Sequence, residues 1–225
     1  MVRLAATVDS PPAYAALENL CRDYWLPVYA FARRRGCDPG AAEDLTQAFF
    51  AELLAKKRLA LADPARGRFR TFLLTSFQNF LANEMDRAHR LKRGGGVEFL
   101  FLDAATSEER YQLEAATRLP PETAFDRHWA ETVLRLALER LRHEMETLHP
   151  GRYAALKDFL EADKGAVSYT DAASRLGLTL GATKTVIRRM RLRFAALVRE
   201  EVAHTSTAHT DVEDELRHLL DVLGG

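Results

Sequence analysis

Apolar residues recur along this chain with the spacing of helix faces, and punctuation by proline and glycine divides them into segments. Ser10-Pro11 sets a capping residue before a first-turn proline and predicts a helix running to about Arg35, where Gly36 stops it. Asp38-Pro39 repeats the signal and predicts a second helix through about Lys57, with Leu45, Phe49, Leu53 and Leu54 on one face. Beyond the polar stretch Asp63–Arg68, a third helix is marked by Phe69, Phe72, Leu73, Phe77, Phe80 and Leu81. Its other face is expected to carry Arg70, Gln78, Asn79, Asn83, Asp86, Arg87 and Arg90. The phenylalanines keep helical spacing, which predicts core positions rather than a stacking platform. Lys92-Arg93-Gly94-Gly95-Gly96 then reads as a hinge, because no Gly-Lys-Ser/Thr follows to make a phosphate loop.

Val97–Leu102 fits a short strand or an extended docked segment. Pro120-Pro121 precedes a long amphipathic helix from about Glu122 to Leu148, stopped by His149-Pro150-Gly151, and a further helix is expected at about Tyr153–Ala162. A basic block follows. The chain closes on an acidic amphipathic segment, Val212–Leu223, with Leu216, Leu219, Leu220 and Leu223 on one side. The pattern predicts an all-α fold of two small helical domains joined by a long connector. The boundaries are 10–96, 97–127, 128–200 and a C-terminal extension 201–225.

With 225 residues and 47% apolar content, the chain can build two real cores. No apolar run approaches the roughly 20 residues that span a bilayer. Met1–Pro12 lacks the apolar stretch of a secretory signal, so a cytoplasmic protein with no membrane partner is expected. Cys21 and Cys37 fit no metal-ligand spacing and are expected to be reduced and partly buried. The formal charge of zero conceals segregation. Residues 1–96 carry +5, 97–165 carry −5, 166–199 carry +6 and 200–225 carry −6. Two basic modules, each followed by an acidic stretch, suggest a polyanionic partner. Solvated charged faces produce the same pattern. The opposed last two blocks also suggest that the acidic tail packs on a basic module and silences it.

The sharpest chemistry lies in Ser168–Val198. A short helix bearing Ala172, Ala173 and Leu176 runs into Gly177, which suits the positive φ of a tight turn. Leu178 plugs the gap between helices, and Thr179 caps the next helix. These are the requirements of a helix-turn-helix. Thr183, Lys184 and Thr185 would then face the major groove, with Arg188, Arg189, Arg191 and Arg193 near phosphates or the groove wall. An ordinary helical hairpin with a basic solvated face is the competing reading, and a single acid among six cations weighs against it.

This block resembles region 4.2 of bacterial sigma factors of the extracytoplasmic-function type, with Tyr169, Ala173, Leu176, Gly177, Gly181, Lys184, Arg189 and Arg191 on the fixed points. Val186 stands where many relatives have arginine, and Thr183 where they have valine. Ala42-Glu43-Asp44-Leu45-Thr46-Gln47-Ala48-Phe49-Phe50 is similar to the region 2 signature of the same family. Phe69-Arg70-Thr71-Phe72-Leu73 and Gln78-Asn79-Phe80-Leu81 match further stretches of it. The resemblance covers roughly Tyr14–Gly96 and Trp129–Arg199. It implies a factor that directs core RNA polymerase to promoter DNA and helps to melt it. Glu43, Asp44 and Gln47 would meet the polymerase. Arg66, Arg68, Arg70, Asn79, Asn83, Arg87 and Arg90 would serve the −10 element, and Thr179 with the residues after it the −35 element. The long connector and the C-terminal tail look like those of a larger subgroup. An anti-sigma factor or another regulator is a further candidate partner.

No catalytic constellation appears. The seven histidines show no metal spacing, and Gly-x-Ser-x-Gly, P-loop and His-Glu-x-x-His motifs are missing, so no enzyme, metal or cofactor is expected. Two other readings remain: a dimeric helix-turn-helix regulator that works without polymerase, and a protein-interaction module that binds no DNA.

Overall fold

The computed structural model describes residues 11–55, 68–90, 119–161, 167–205 and 209–224. At 11–17, 85–90, 161, 205 and 209–211 it describes the backbone alone. Helices make up the described secondary structure, and the all-α expectation is met. They are α1 (Pro11–Arg34), α2 (Pro39–Ala55), α3 (Phe69–Arg90), α4 (Pro121–Leu148), α5 (Arg152–Leu156), α6 (Asp158–Glu161), α7 (Tyr169–Leu176), α8 (Leu180–Thr205) and α9 (His209–Gly224). The segment at Val97–Leu102 lies outside the described residues. Where one helix was expected at about Tyr153–Ala162, two short pieces, α5 and α6, stand instead.

The chain divides into two compact units. The first holds residues 1–132 and 203–225, and the second residues 133–202. In the first unit, α1 ends at Gly36, whose φ of 94° lets the Cys37 N–H reach back to the Ala32 carbonyl at 3.2 Å. Asp38 then caps α2 by accepting from the Ala41 N–H at 2.9 Å, with Pro39 in the first helical position. The turn between α1 and α2 follows from four residues of sequence.

Aromatic rings fill the space between these helices. Phe49 meets Phe77 at 5.0 Å between centroids, Phe31 meets Phe77 at 5.9 Å, and Trp25 stacks on Phe50 at 6.0 Å. Phe31, Phe77, Leu53 and Leu73 are fully buried, and edge-to-face ring pairs add to their burial. Phe69, Phe77 and Phe80 are core residues, while Phe72 is half-buried.

One face of α3 differs from expectation. Arg70 is buried, on the same side of the helix as Leu73, Phe77 and Leu81, because three-, seven- and eleven-residue steps return to one face. It lies nearly opposite Asn79. The apolar face of α9 is also rotated from the one expected. Val212, Glu215 and Leu219 are buried and Leu216 is half-buried, whereas Leu220 and Leu223 are exposed. Glu215 takes the inward position because it pairs with Arg70.

In the second unit, Gly151 has a φ of 80° and its N–H donates to Glu146 at 2.7 Å, ending α4. Leu141, Leu156, Phe159, Ile187, Met190 and Leu197 form the core. An ion-pair network ties the C-terminal half of α4 to α8. Arg193 donates to both oxygens of Glu144 at 2.7 and 2.8 Å and to Glu200 at 2.8 Å, while Arg140 reaches Glu200 at 2.6 Å and Glu201 at 2.5 Å. The acidic stretch that begins at Glu200 is therefore divided. Glu200 and Glu201 serve the second unit, and Asp214 and Glu215 serve the first.

Two solution measurements follow. Burial, reinforced by Glu18, pushes the Cys21 thiol up to about 12, whereas Cys37 is half-buried. A thiol reagent at about pH 8 should modify Cys37 in the native protein and Cys21 only on unfolding. Bonds from Arg193 hold the Glu144 and Glu200 carboxyls below their ordinary range, with Arg140 also acting on Glu200. A lowered carboxylate pKa stabilises the fold above the unfolded value, about 4.3, and that contribution is lost as pH falls through the folded one. Arg193→Ala should lower Tm at neutral pH, and the gap from wild type should narrow in melts taken below about pH 4.

Candidate nucleic-acid interface

The α7–turn–α8 segment is built by local rules. Ser168 caps α7 by accepting from the Asp171 N–H at 3.2 Å. Gly177, at φ 63°, ends the helix, and the N–H of Leu178 bonds the Ala173 carbonyl at 3.0 Å. Thr179 then accepts from the Ala182 N–H at 3.2 Å and opens α8. Three residues, Gly177–Thr179, thus separate two helices, with Ala172 and Ala173 buried so that neighbouring elements approach closely.

The sequence groups Thr183, Lys184 and Thr185 together, and the structure separates them. Thr183 is fully buried, and its hydroxyl donates to the Thr179 carbonyl at 3.0 Å. It belongs to the packing face because it lies one turn before Ile187 on the inner side. Lys184, Thr185, Arg188 and Arg189 are exposed, and their four-residue steps form a continuous outer strip. Lys184 lies over the Tyr169 ring at 5.9 Å, and that ring packs on Phe159. Arg188 and Arg189 have no ion-pair partner among the described residues. Such a strip presents cations to a polyanion without breaking any internal contact.

Arg191 and Arg193 have internal work. Arg191 donates through Nε and Nη2 to the Phe159 carbonyl at 3.1 and 2.8 Å. Arg193 belongs to the Glu144–Glu200 network. Val186, where the sequence departs from its resemblance, is half-buried.

In the first unit, α2 carries Glu43 and Gln47 half-buried and Asp44 exposed. Burial raises the Glu43 carboxyl above its ordinary range, and neighbouring Asp44 adds to the shift. Two adjacent acids of this kind favour a cationic partner, which would relieve their repulsion. On α3, Asn79 and Asn83 are exposed one turn apart, and the backbone puts Arg87 and Arg90 at register positions of the same face. The side chains of Arg87 and Arg90, and Arg66 entirely, lie outside the described residues.

Arg70 stands apart from that face. Its guanidinium lies over the Trp129 ring at 5.1 Å, pairs with Asp126, and meets Glu215 through Nε and Nη2 at 3.2 and 3.4 Å. Arg68 reaches Glu215 at 3.1 Å and Asp214 at 3.4 Å. His218 bonds Asp126 at 3.0 Å. The sequence singled out the two arginines but not Asp126, Trp129, Asp214, Glu215 or His218 around them. The acidic charge of the tail was the available signal, and it did not say which basic group the tail would meet.

Residues 13–91 match the family model of sigma-70 region 2. The matched span takes in most of α1 and all of α2 and α3, including the Glu43–Gln47 surface and the Asn79–Asn83 face. The match covers about a third of the chain. No curated protein and no solved structure matches the chain. Among the described residues, no helix is long and apolar enough to cross a membrane, and no cluster of His, Cys, Asp and Glu could hold a metal ion.

The buried and exposed positions of α8 make separable predictions. Thr183→Ala should cost about 1 kcal/mol of stability through its lost hydrogen bond and leave duplex binding unchanged once the protein is folded. Arg188→Ala/Arg189→Ala should leave Tm unchanged. Fluorescence anisotropy with a duplex should show weaker binding, and the slope of log affinity against log salt should fall by about two.

Proposed function

We propose that this chain is a sigma factor of the extracytoplasmic-function type, which directs core RNA polymerase to particular promoters and assists melting. The observation that carries the proposal is the sigma-70 region 2 match over residues 13–91. In this reading, core polymerase docks on Glu43, Asp44 and Gln47 of α2. Two acids and an amide on one helix beside a buried aromatic core suit a basic helical partner. The segment that contains Arg66 and Arg68, with the Asn79, Asn83, Arg87 and Arg90 face of α3, serves the −10 element. Exposed amides are suited to base edges and arginines to phosphates.

The second unit is proposed to read the −35 element through Lys184, Thr185, Arg188 and Arg189. Thr179 caps the helix that presents them, and Thr183 packs its inner side. Arg191 and Arg193 brace α8, and Arg70 braces the first unit, so these three drop from the proposed contact set. Residues 97–127 connect the modules, and 201–225 form a C-terminal extension, with an anti-sigma factor or another regulator as a candidate partner. A protein with these partners acts in the cytoplasm, without cofactor or catalysis of its own.

Mixing the chain with core RNA polymerase should yield a stable complex on size exclusion and run-off transcription from a selected promoter. Glu43→Lys/Asp44→Lys should weaken the complex at least tenfold without lowering Tm. Tight binding to duplex DNA with no association with core polymerase would instead identify a regulator that acts alone, and no DNA binding at all an interaction module.

A further inference from the structure

We propose that α9 is an autoinhibitory latch, whose carboxylates cover Arg68, a cation that nucleic-acid phosphate claims when the protein engages DNA. The proposal rests on the reading that the first unit handles promoter DNA, and it adds the regulation of that surface.

The site is built from charge. Glu215 is almost wholly buried and contacts both guanidiniums, while Asp214 covers Arg68 from the outside. Asp126 approaches Arg70 from α4, and Trp129 closes its flat face. Arginine forks of this kind bind carboxylate and phosphate with the same geometry, so one ligand can replace the other. Arg68 stays about one-third exposed even with the latch closed, which gives a phosphate a place to begin displacement. Arg68 also lies at the N-terminal edge of α3.

The latch is lightly held. Among the described residues of α9, Val212 and Leu219 are the buried apolar ones, and Leu220 and Leu223 face solvent. A buried ion pair gains little net stability after desolvation, and Arg70 keeps Asp126 when Glu215 leaves. Release is favoured when a phosphate takes the place of Asp214 and Glu215 on Arg68. A 16-residue helix is marginal alone in water, so α9 should lose helix when it leaves. The acids act as a selective plug rather than as a permanent part of the core.

The test uses the full chain and a fluorescein-labelled dT20 oligonucleotide at low salt. Asp214→Asn/Glu215→Gln should bind dT20 about tenfold more tightly than wild type, and adding Arg68→Ala should return affinity to the wild-type level. Equal affinities for wild type and the folded double variant would overturn the latch. Should that variant fail to fold, a tobacco etch virus protease site placed at Ser206–Ala208 decides. After cleavage, the α9 fragment should stay bound on size exclusion and leave when dT20 is added. Retention at saturating dT20 would overturn the proposal. Association with core polymerase, measured on the same proteins, keeps the two readings apart: a latch that opens in a chain that ignores core polymerase leaves the latch standing and removes the sigma assignment.

Discussion

Arg70 carries a permanent charge on the face of α3 that also bears Leu73 and Phe77, and it is only 8% exposed. A guanidinium cannot shed its proton to enter a core, so it must be matched where it stands. Its match comes from two distant parts of the sequence, Asp126 of α4 and Glu215 of α9. Bonds to both carboxylates outweigh the opposing effect of burial and raise its pKa further. This one constraint explains why α9 turns Val212, Glu215 and Leu219 inward and leaves Leu220 and Leu223 in water. It also explains why residues 203–225 group with the first unit although they follow the second in sequence.

Around this centre, each unit divides its charges between internal bracing and outward display. In the second unit Arg140, Arg191 and Arg193 hold α8 to α4 and to the Phe159 carbonyl, while Lys184, Arg188 and Arg189 stay on the surface. In the first, Arg70 is internal and the Asn79–Asn83 face is open. Internal arginines cost their partners if removed. Surface ones cost the fold almost nothing, which leaves them free for a ligand. A basic block in sequence is therefore a mixed population, and only the exposed fraction is suited to a polyanion.

Much of the architecture was readable in advance. Proline and glycine punctuation marked the helix limits at Pro39, Leu148 and Leu176, and helical spacing marked Phe49, Phe77 and Phe80 as core. The Glu43–Gln47 motif and the Gly177 turn were readable for the same reason: both depend on residues within a few positions of one another. The side of α3 that holds Arg70, the inward turn of Thr183 and the leucines left outside on α9 were not.

The sequence by itself determined the helices, their caps and turns, the aromatic core of the first unit and the supply of charge along the chain. Those features rest on interactions spanning three to seven residues, which local chemistry specifies. The tertiary structure alone decided which charges meet. Arg70 and Glu215 stand 145 residues apart, and Arg193 and Glu144 stand 49 apart. An arginine written in a helix does not disclose whether its partner is an acid across the fold or a phosphate outside it, because either ligand satisfies the same five donors. Packing around Trp129 and Leu219 made that choice for Arg70, and solvent left it open for Arg188 and Arg189.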